Sequence, residues 1–210
     1  MIDDRLLAWI GVAVVLVILP GPDTTMVLRS GLRGGRAAAL GAAYGINTGL
    51  VVWTAASALG VAALLEASAT AFTVLKVAGA LYLAYVGIRM LVLSFRTRGT
   101  LVALAPERRA LSVRAAYRSG LMTNLLNPKI AATFTTLLPQ FVAKDDPAVA
   151  RSALLAGVFL VLGIVYLTIL AIAVGKAADL IQRPRVRAWI ERLTGVVFLA
   201  FSVQLAFQRR

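Results

Sequence analysis

The apolar run "VVLVILPGPDTTMVL", from Val14 to Leu28, is interrupted near its middle by Pro20, Gly21, Pro22 and Asp23. Its flanks suit a membrane-spanning helix. The interruption does not, because a proline has no backbone donor and displaces the carbonyl four residues before it. In lipid, freed backbone groups are tolerated only where protein buries them or where they line a polar cavity. This one segment restricts the chain to folds that set something polar against the break. Composition supplies the apolar surroundings. Hydrophobic residues make up 60% of the 210, and the mean hydropathy of +0.86 exceeds what a water-soluble domain can bury.

The expected fold class is therefore all-α, a polytopic membrane protein. A hydrocarbon core of about 30 Å calls for roughly 20 apolar residues per helix. Six stretches qualify: 6 to 28, 37 to 65, 70 to 94, 119 to 143, 152 to 175, and 189 to 207. Glu191 and Arg192 shorten the sixth to Leu193 through Phe207, which also suits a re-entrant or interfacial segment. The first run does not read as a secretory leader, because Asp3 and Asp4 replace the basic start, the run is too long and no small-residue cleavage site follows. The chain has no cysteine and no histidine, so disulfides, thiolate or imidazole metal sites and histidine relays are not available to it.

The net charge of +13 is distributed unevenly. Arg29, Arg33, Arg36, Arg96, Arg98, Arg108, Arg109, Arg114, Arg118, Lys176, Arg183, Arg185, Arg187 and Arg192 follow spans one, three and five. The opposite side holds Arg5, Lys76, Lys144, Arg151, Arg209 and Arg210. Since basic loops mark the cytoplasmic face, both termini are expected outside. The arginines serve orientation and anionic lipid. Nucleic acid is not an expected partner, because Tyr117 is the one aromatic residue among them and no stacking platform results. Trp9, Trp53 and Trp189 read as anchors or packing residues, with Trp53 deep enough to line a site.

The chain also resembles itself. "LKVAGALYLAYVG" from Leu75 matches "ERLTGVVFLAFSV" from Glu191 at a shift of 116, and "RAAALGA" from Arg36 matches "RSALLAG" from Arg151 at 115. A shift of 106 lays Pro22 of "PGPD" on Pro128 of "LNPK". These matches keep one order, as a duplication would. Three spans per copy turn the second copy over, so the expected arrangement is six transmembrane helices as an inverted repeat of 3+3. Its parts are residues 1–95, a basic loop over 96–118, and residues 119–210. Such repeats build secondary transporters, with the substrate site near the midplane where the halves meet. A helical bundle that binds lipid or serves as a scaffold needs no such symmetry.

Both first spans of the two halves carry proline deep inside: Pro20 and Pro22 in one, Pro128 in the other. A half-helix starting after Pro22 would aim free amides and the positive end of its dipole inward, a site for a carboxylate. Asp23, Thr24 and Thr25 lie on that turn. For a single proline a kink with Asp23 as helix cap would suffice; the pairing with Asn127, Pro128 and Lys129 in the other half favours a binding site. An ionisable group costs roughly 3 kcal/mol or more at the bilayer centre. Asp23 and Lys129 occupy matching places, where they form either a structural ion pair or a site in which Asp23 takes a substrate ammonium or a proton and Lys129 balances charge or holds a carboxylate. In the second span Gly41, Gly45 and Gly49 make one packing stripe, while Asn47 and Thr54 share the other side. Asn124 and Asn127, with Thr123 and Thr133 behind them, form the polar set of the fourth span.

On these residues, "LPGPDTTMVLRSGLRGGRAAALGAAYGINTG" from Leu19 and "NLLNPKIAATFTTLLPQFV" from Asn124, the chain resembles the lysine exporter and homoserine-threonine resistance (LysE/RhtB) superfamily over nearly its whole length. The resemblance implies a bacterial inner-membrane exporter of amino acids, driven by membrane potential or a proton gradient. In members that export basic amino acids an acid would stand where this chain has Asn47. Asp23 is the sole acid in the spans apart from Glu66 at a helix edge, which suits neutral amino acids such as threonine, homoserine or leucine over lysine or arginine. Heavy-metal export fits poorly without Cys or His.

No enzyme is expected: the chain has no His-Glu-x-x-His, no Asp pair across two spans and no Ser-His partner. A G-x-x-x-x-G-K-[ST] loop for ATP is missing as well. No cofactor or metal is called for. The expected partners are a small amino acid and the lipid bilayer, with a homodimer left open. The substrate-binding set expected is Pro20, Gly21, Pro22, Asp23, Thr24, Asn47, Thr54, Asn124, Asn127, Pro128 and Lys129.

Overall fold

The computed structural model describes residues 3–67, scattered positions between 74 and 92, and residues 111–143, 145–174 and 184–207. Helix α1 (Asp4–Ile18) starts where the Asp3 carboxylate accepts the Leu6 N–H at 2.8 Å, and ends two residues before Pro20. Helix α2 (Pro22–Ala67) has proline at its first position, where the missing N–H is no loss. It is interrupted at Gly34 and Gly35. Gly35 has a φ of 68°, a left-handed conformation that suits glycine, and this turn separates residues 22–33 from 36–67. The loop expected after the first span shrinks to those two glycines, with Arg29 and Arg33 on the helix before them.

The fourth expected span starts six residues early. Ser112 accepts the Ala115 N–H at 3.3 Å and caps α3 (Val113–Leu125), so the end of the expected basic loop is helix. After the break come α4 (Pro128–Ala132), a π turn over Thr133–Leu137 and a 3-10 turn over Leu138–Phe141. Then α5 (Ala148–Ile172) runs without interruption, and α6 (Pro184–Phe207) begins five residues before the sixth expected span. Among the described residues α5 alone is long and apolar enough to cross a membrane by itself. Helix α1 joins residues 22–60 as a second candidate, bent by 40° at the break. The third expected span and the repeat boundary near residue 95 lie largely outside the described residues; the described positions there are helical, and Ser202 on α6 donates to the Ala80 carbonyl at 2.9 Å.

Small side chains let the helices approach closely in one of the two buried clusters, whereas the other is built on Trp9, Phe134 and Phe159. One cluster contains Ala38, Ala39, Ala42, Ala43, Ala116 and Ala171, whereas Leu59, Leu126 and Ile169 face outward. Residues 36–67 of α2 and helix α5 are two long unbroken rods. They meet at Leu50 and Gly163, and each runs parallel to one broken helix. α5 follows α1 and then residues 22–33: Trp9 Nε1 donates to the Leu155 carbonyl at 2.8 Å, and Gly31 lies against Val174. α2 follows α3 in the same way. Gly41 sits on Val113, Gly45 on Tyr117 and Gly49 on Asn124, and Ser57 Oγ reaches the Phe134 carbonyl at 3.3 Å. The glycine stripe is thus a packing face, as its spacing implies, and a Cβ on Gly45 would overlap the Tyr117 carbonyl oxygen.

Candidate functional site

The first break leaves carbonyls without their helical donors. In an unbroken helix the Leu16 carbonyl would accept from residue 20, but Pro20 has no N–H. Leu19 closes the half-helix by donating to the Val15 carbonyl at 3.0 Å, and the next backbone bond runs from Thr25 N–H to Gly21 O. The Asp23 and Thr24 amides therefore lie in the unpaired first turn of α2, at its positive end. Asp23 is buried there, 7% exposed, and accepts from Asn124 Nδ2 at 2.9 Å.

The second break is built differently. Asn127 stops α3 and caps α4, its Oδ1 accepting the Lys129 N–H at 3.0 Å. Pro128 follows at the first helical position. Lys129 then sends its ammonium across to the first break, donating to the carbonyls of Leu19 at 2.9 Å and Leu16 at 3.1 Å. The ion pair contemplated between Asp23 and Lys129 is therefore not the observed arrangement: no pair within 4 Å joins them, because the carbonyl oxygens freed at Pro20 take the ammonium and Asn124 takes the carboxylate.

Asn47 enters from α2 on the side away from the glycine stripe. Its Oδ1 lies 3.9 Å from where a Cβ on Gly163 would stand, so it sits at the crossing of the two unbroken rods. Asn47 Oδ1, on the Gly163 side of α2, and Asn124 Oδ1, against Gly49, are buried and make no hydrogen bond among the described residues, while the Asn127 side chain is directed at the Asp23 carboxylate. An unsatisfied buried polar atom costs about 1–3 kcal/mol.

The other expected residues divide clearly. Gly21 is half-buried, and a Cβ on it would stand 3.4 Å from Lys129 Nζ, an ordinary contact distance, so it lies beside the ammonium without being required to leave room for it. Thr24 is buried and shares a 3.4 Å hydrogen bond with Tyr166 Oη. Pro20 is half-buried, whereas Pro22 and Pro128 are exposed on the outer surface and shape the site through backbone alone. The Thr54 hydroxyl is committed to the Leu50 carbonyl at 2.8 Å, and nothing links it to the polar set. Thr133 is buried but bonded back to the Lys129 carbonyl at 2.8 Å. Tyr166 was not among the expected residues; a lone tyrosine in an apolar helix carries no sequence signal for a hydroxyl that meets Thr24.

The two ends of the bundle differ. Beyond α1, Trp9 stacks near Phe141 and Phe159 with ring centres at 5.1 and 6.3 Å, and Phe159 meets Phe134 edge-on at 5.4 Å. Above these rings the buried Arg151 pairs with Asp3 at 2.6 Å and with Asp146 at 3.6 Å. The Arg151 hydrogen bond, with help from the Leu6 amide, holds the Asp3 carboxyl below its ordinary 3.8. At the opposite end the Leu111 N–H reaches the Arg33 carbonyl at 3.5 Å, which gathers Arg33, Arg114 and Arg118 on one face of the molecule.

Comparison with known proteins agrees with this architecture. Residues 14–209 match the family model described as LysE type translocator. An uncharacterized membrane protein of Pseudomonas aeruginosa is 35% identical, covering 92% of this chain and 90% of its own. The threonine efflux protein of Escherichia coli strain K12 is 28% identical over 94% of this chain and 95% of its own. The homoserine/homoserine lactone efflux protein of Salmonella typhimurium is 26% identical over 96% of both. No solved structure matches. A helical membrane protein with two broken helices, matched over nearly its full length by a family of transporters and not of enzymes, belongs to the LysE type translocator family.

Proposed function

We propose that this protein exports small neutral amino acids, of the threonine, homoserine or leucine type, across the bacterial inner membrane by alternating access. The observation that carries this reading is the meeting of the two broken helices, where Asn124 donates to the buried Asp23 carboxylate and Lys129 reaches the carbonyls of Leu16 and Leu19. The substrate carboxylate meets the unpaired amides at the start of α2. Its ammonium meets Asp23 and Asn47. One acid matches one ammonium, which favours a neutral side chain over lysine or arginine. The printed names of two relatives, threonine efflux and homoserine/homoserine lactone efflux, support the substrate class.

The inverted repeat of six spans gains support from reciprocal contacts. Asp23 reaches Asn124 near the end of α3, and Lys129, its match in the repeat, reaches Leu16 and Leu19 at the end of α1. The face carrying Arg33, Arg114 and Arg118 then lies in the cytoplasm and both termini outside. Substrate is loaded from the basic face. Rocking of the halves then parts Trp9 from Leu155 and Asp3 from Arg151, opening the outer side. Where a proton flows inward in exchange, Asp23 carries it. The test is efflux of labelled amino acids, one at a time, from proteoliposomes with and without imposed gradients. Efflux of threonine or homoserine well above that of lysine supports the reading; no efflux of any amino acid under any gradient overturns it.

A further inference from the structure

The use that Lys129 makes of its ammonium points beyond substrate binding. At the end of the α1 half-helix two carbonyl oxygens converge on one point, Leu16 O because Pro20 offers no donor and Leu19 O because the helix stops. Oxygens at the negative end of an interrupted helix are the kind of group with which secondary transporters coordinate a coupling cation. Here the point is already filled by Nζ at 2.9 and 3.1 Å, beside Gly21. The backbone of Lys129 sits at the start of α4, on the other broken helix. The cation is thus tethered to one half while its ligands belong to the other.

Resting on the transporter reading above, we propose that Lys129 is a built-in cation that replaces an exchangeable Na+ or K+ at the broken first helix and ties the two halves together, so that transport needs no alkali ion at this place. An ammonium suits the position because it donates hydrogen bonds along fixed directions to carbonyls already spaced for it, and it cannot diffuse away when the halves separate. The role is one of positioning, and positive charge at Nζ is its essential property.

The experiment compares wild type, Lys129→Ala and Lys129→Gln in proteoliposomes and by thermal unfolding in detergent. Wild-type efflux is expected to be unchanged when choline replaces Na+ and K+. Lys129→Ala loses about tenfold or more in flux, the worth of one charge-assisted interaction, and n-propylammonium, which fills the deleted volume, restores flux and raises the unfolding midpoint of the variant but not of the wild type. Lys129→Gln keeps an amide donor without the charge and stays inactive. The proposal is overturned by a wild type that needs alkali cations, by full flux in Lys129→Gln, or by a folded Lys129→Ala that propylammonium neither reactivates nor stabilises. The unfolding measurement reads cation binding without transport, so its success beside a wild type that moves no amino acid would count against the exporter reading alone.

Discussion

Two helix pairings flank the polar set, and they are made in opposite ways. On one side α2 lies on α3 through Gly41, Gly45 and Gly49, backbone against backbone, with Gly120 answering from α3 against Ala42. On the other side α1 lies on α5 through Trp9, which fills the gap between the helices and donates its indole N–H to the Leu155 carbonyl. The first seam is made of backbone contacts, with the Tyr117 hydroxyl meeting the Thr48 hydroxyl across it at 3.1 Å. The second is closed by rings and by the Asp3–Arg151 pair, groups that part through side-chain rotation. The difference sets a pairing closed by side chains against one closed by backbone.

The comparison can be broken at four places. The largest effect is expected from Gly45→Val, whose Cβ overlaps the Tyr117 carbonyl oxygen and stands 2.9 Å from the Leu121 nitrogen. Backbone cannot rotate aside, so the cost is about 3 kcal/mol and shows as loss of monodisperse protein after extraction. A stable, active Gly45→Val would refute the backbone seam. Next, Asp23→Asn removes a charge-assisted interaction of about 1.5–3 kcal/mol, so efflux falls roughly 10- to 100-fold; the protein should remain folded, since Asn124 can still pair with the new amide. Smaller again, Trp9→Phe keeps the ring packing and deletes one hydrogen bond of about 1 kcal/mol. Its unfolding midpoint should drop by about 2–4 °C, with outward opening made easier rather than blocked. The smallest effect belongs to Gly157→Ala, on the rod opposite the stripe. A Cβ there meets nothing within 4 Å, and the exchange stabilises the helix by about 0.5–1 kcal/mol.

The outer ion pair sharpens the same comparison through pH. Arg151 lowers the Asp3 carboxyl below 3.8, so the ionised form is favoured in the folded protein. Stability from the pair is therefore present above that value, at neutral pH, and is lost as acid takes the carboxylate through its depressed folded value. Wild type should show an acid-induced loosening in that window that Asp3→Asn lacks, measured as outer-side labelling of a single cysteine introduced into α1. The cysteine-free sequence makes such labelling clean.

Much of this was legible in advance, and the reasons are local. Prolines in an apolar run dictate a broken helix whatever surrounds them, and both breaks fall where the sequence places them, ahead of Pro22 and Pro128. A four-residue glycine spacing dictates a close approach on one face, and α3 occupies it. The Asn47 side of α2 follows from helix periodicity. Partner choice was not legible. Nothing in residues 124 to 129 shows that Asp23 would turn to Asn124 while Lys129 reached past it to Leu16 and Leu19, nor that Arg151 would leave its own half for Asp3.

By itself the sequence determined that the chain is helical, belongs in lipid and breaks two of its helices around polar residues, because hydropathy, proline chemistry and glycine spacing act over a few neighbouring positions. Only the tertiary structure decided which freed carbonyl meets which cation, and which amide meets which carboxylate. Those pairings join residues more than a hundred positions apart, and their energies depend on how the two unbroken rods cross rather than on any local preference of the chain.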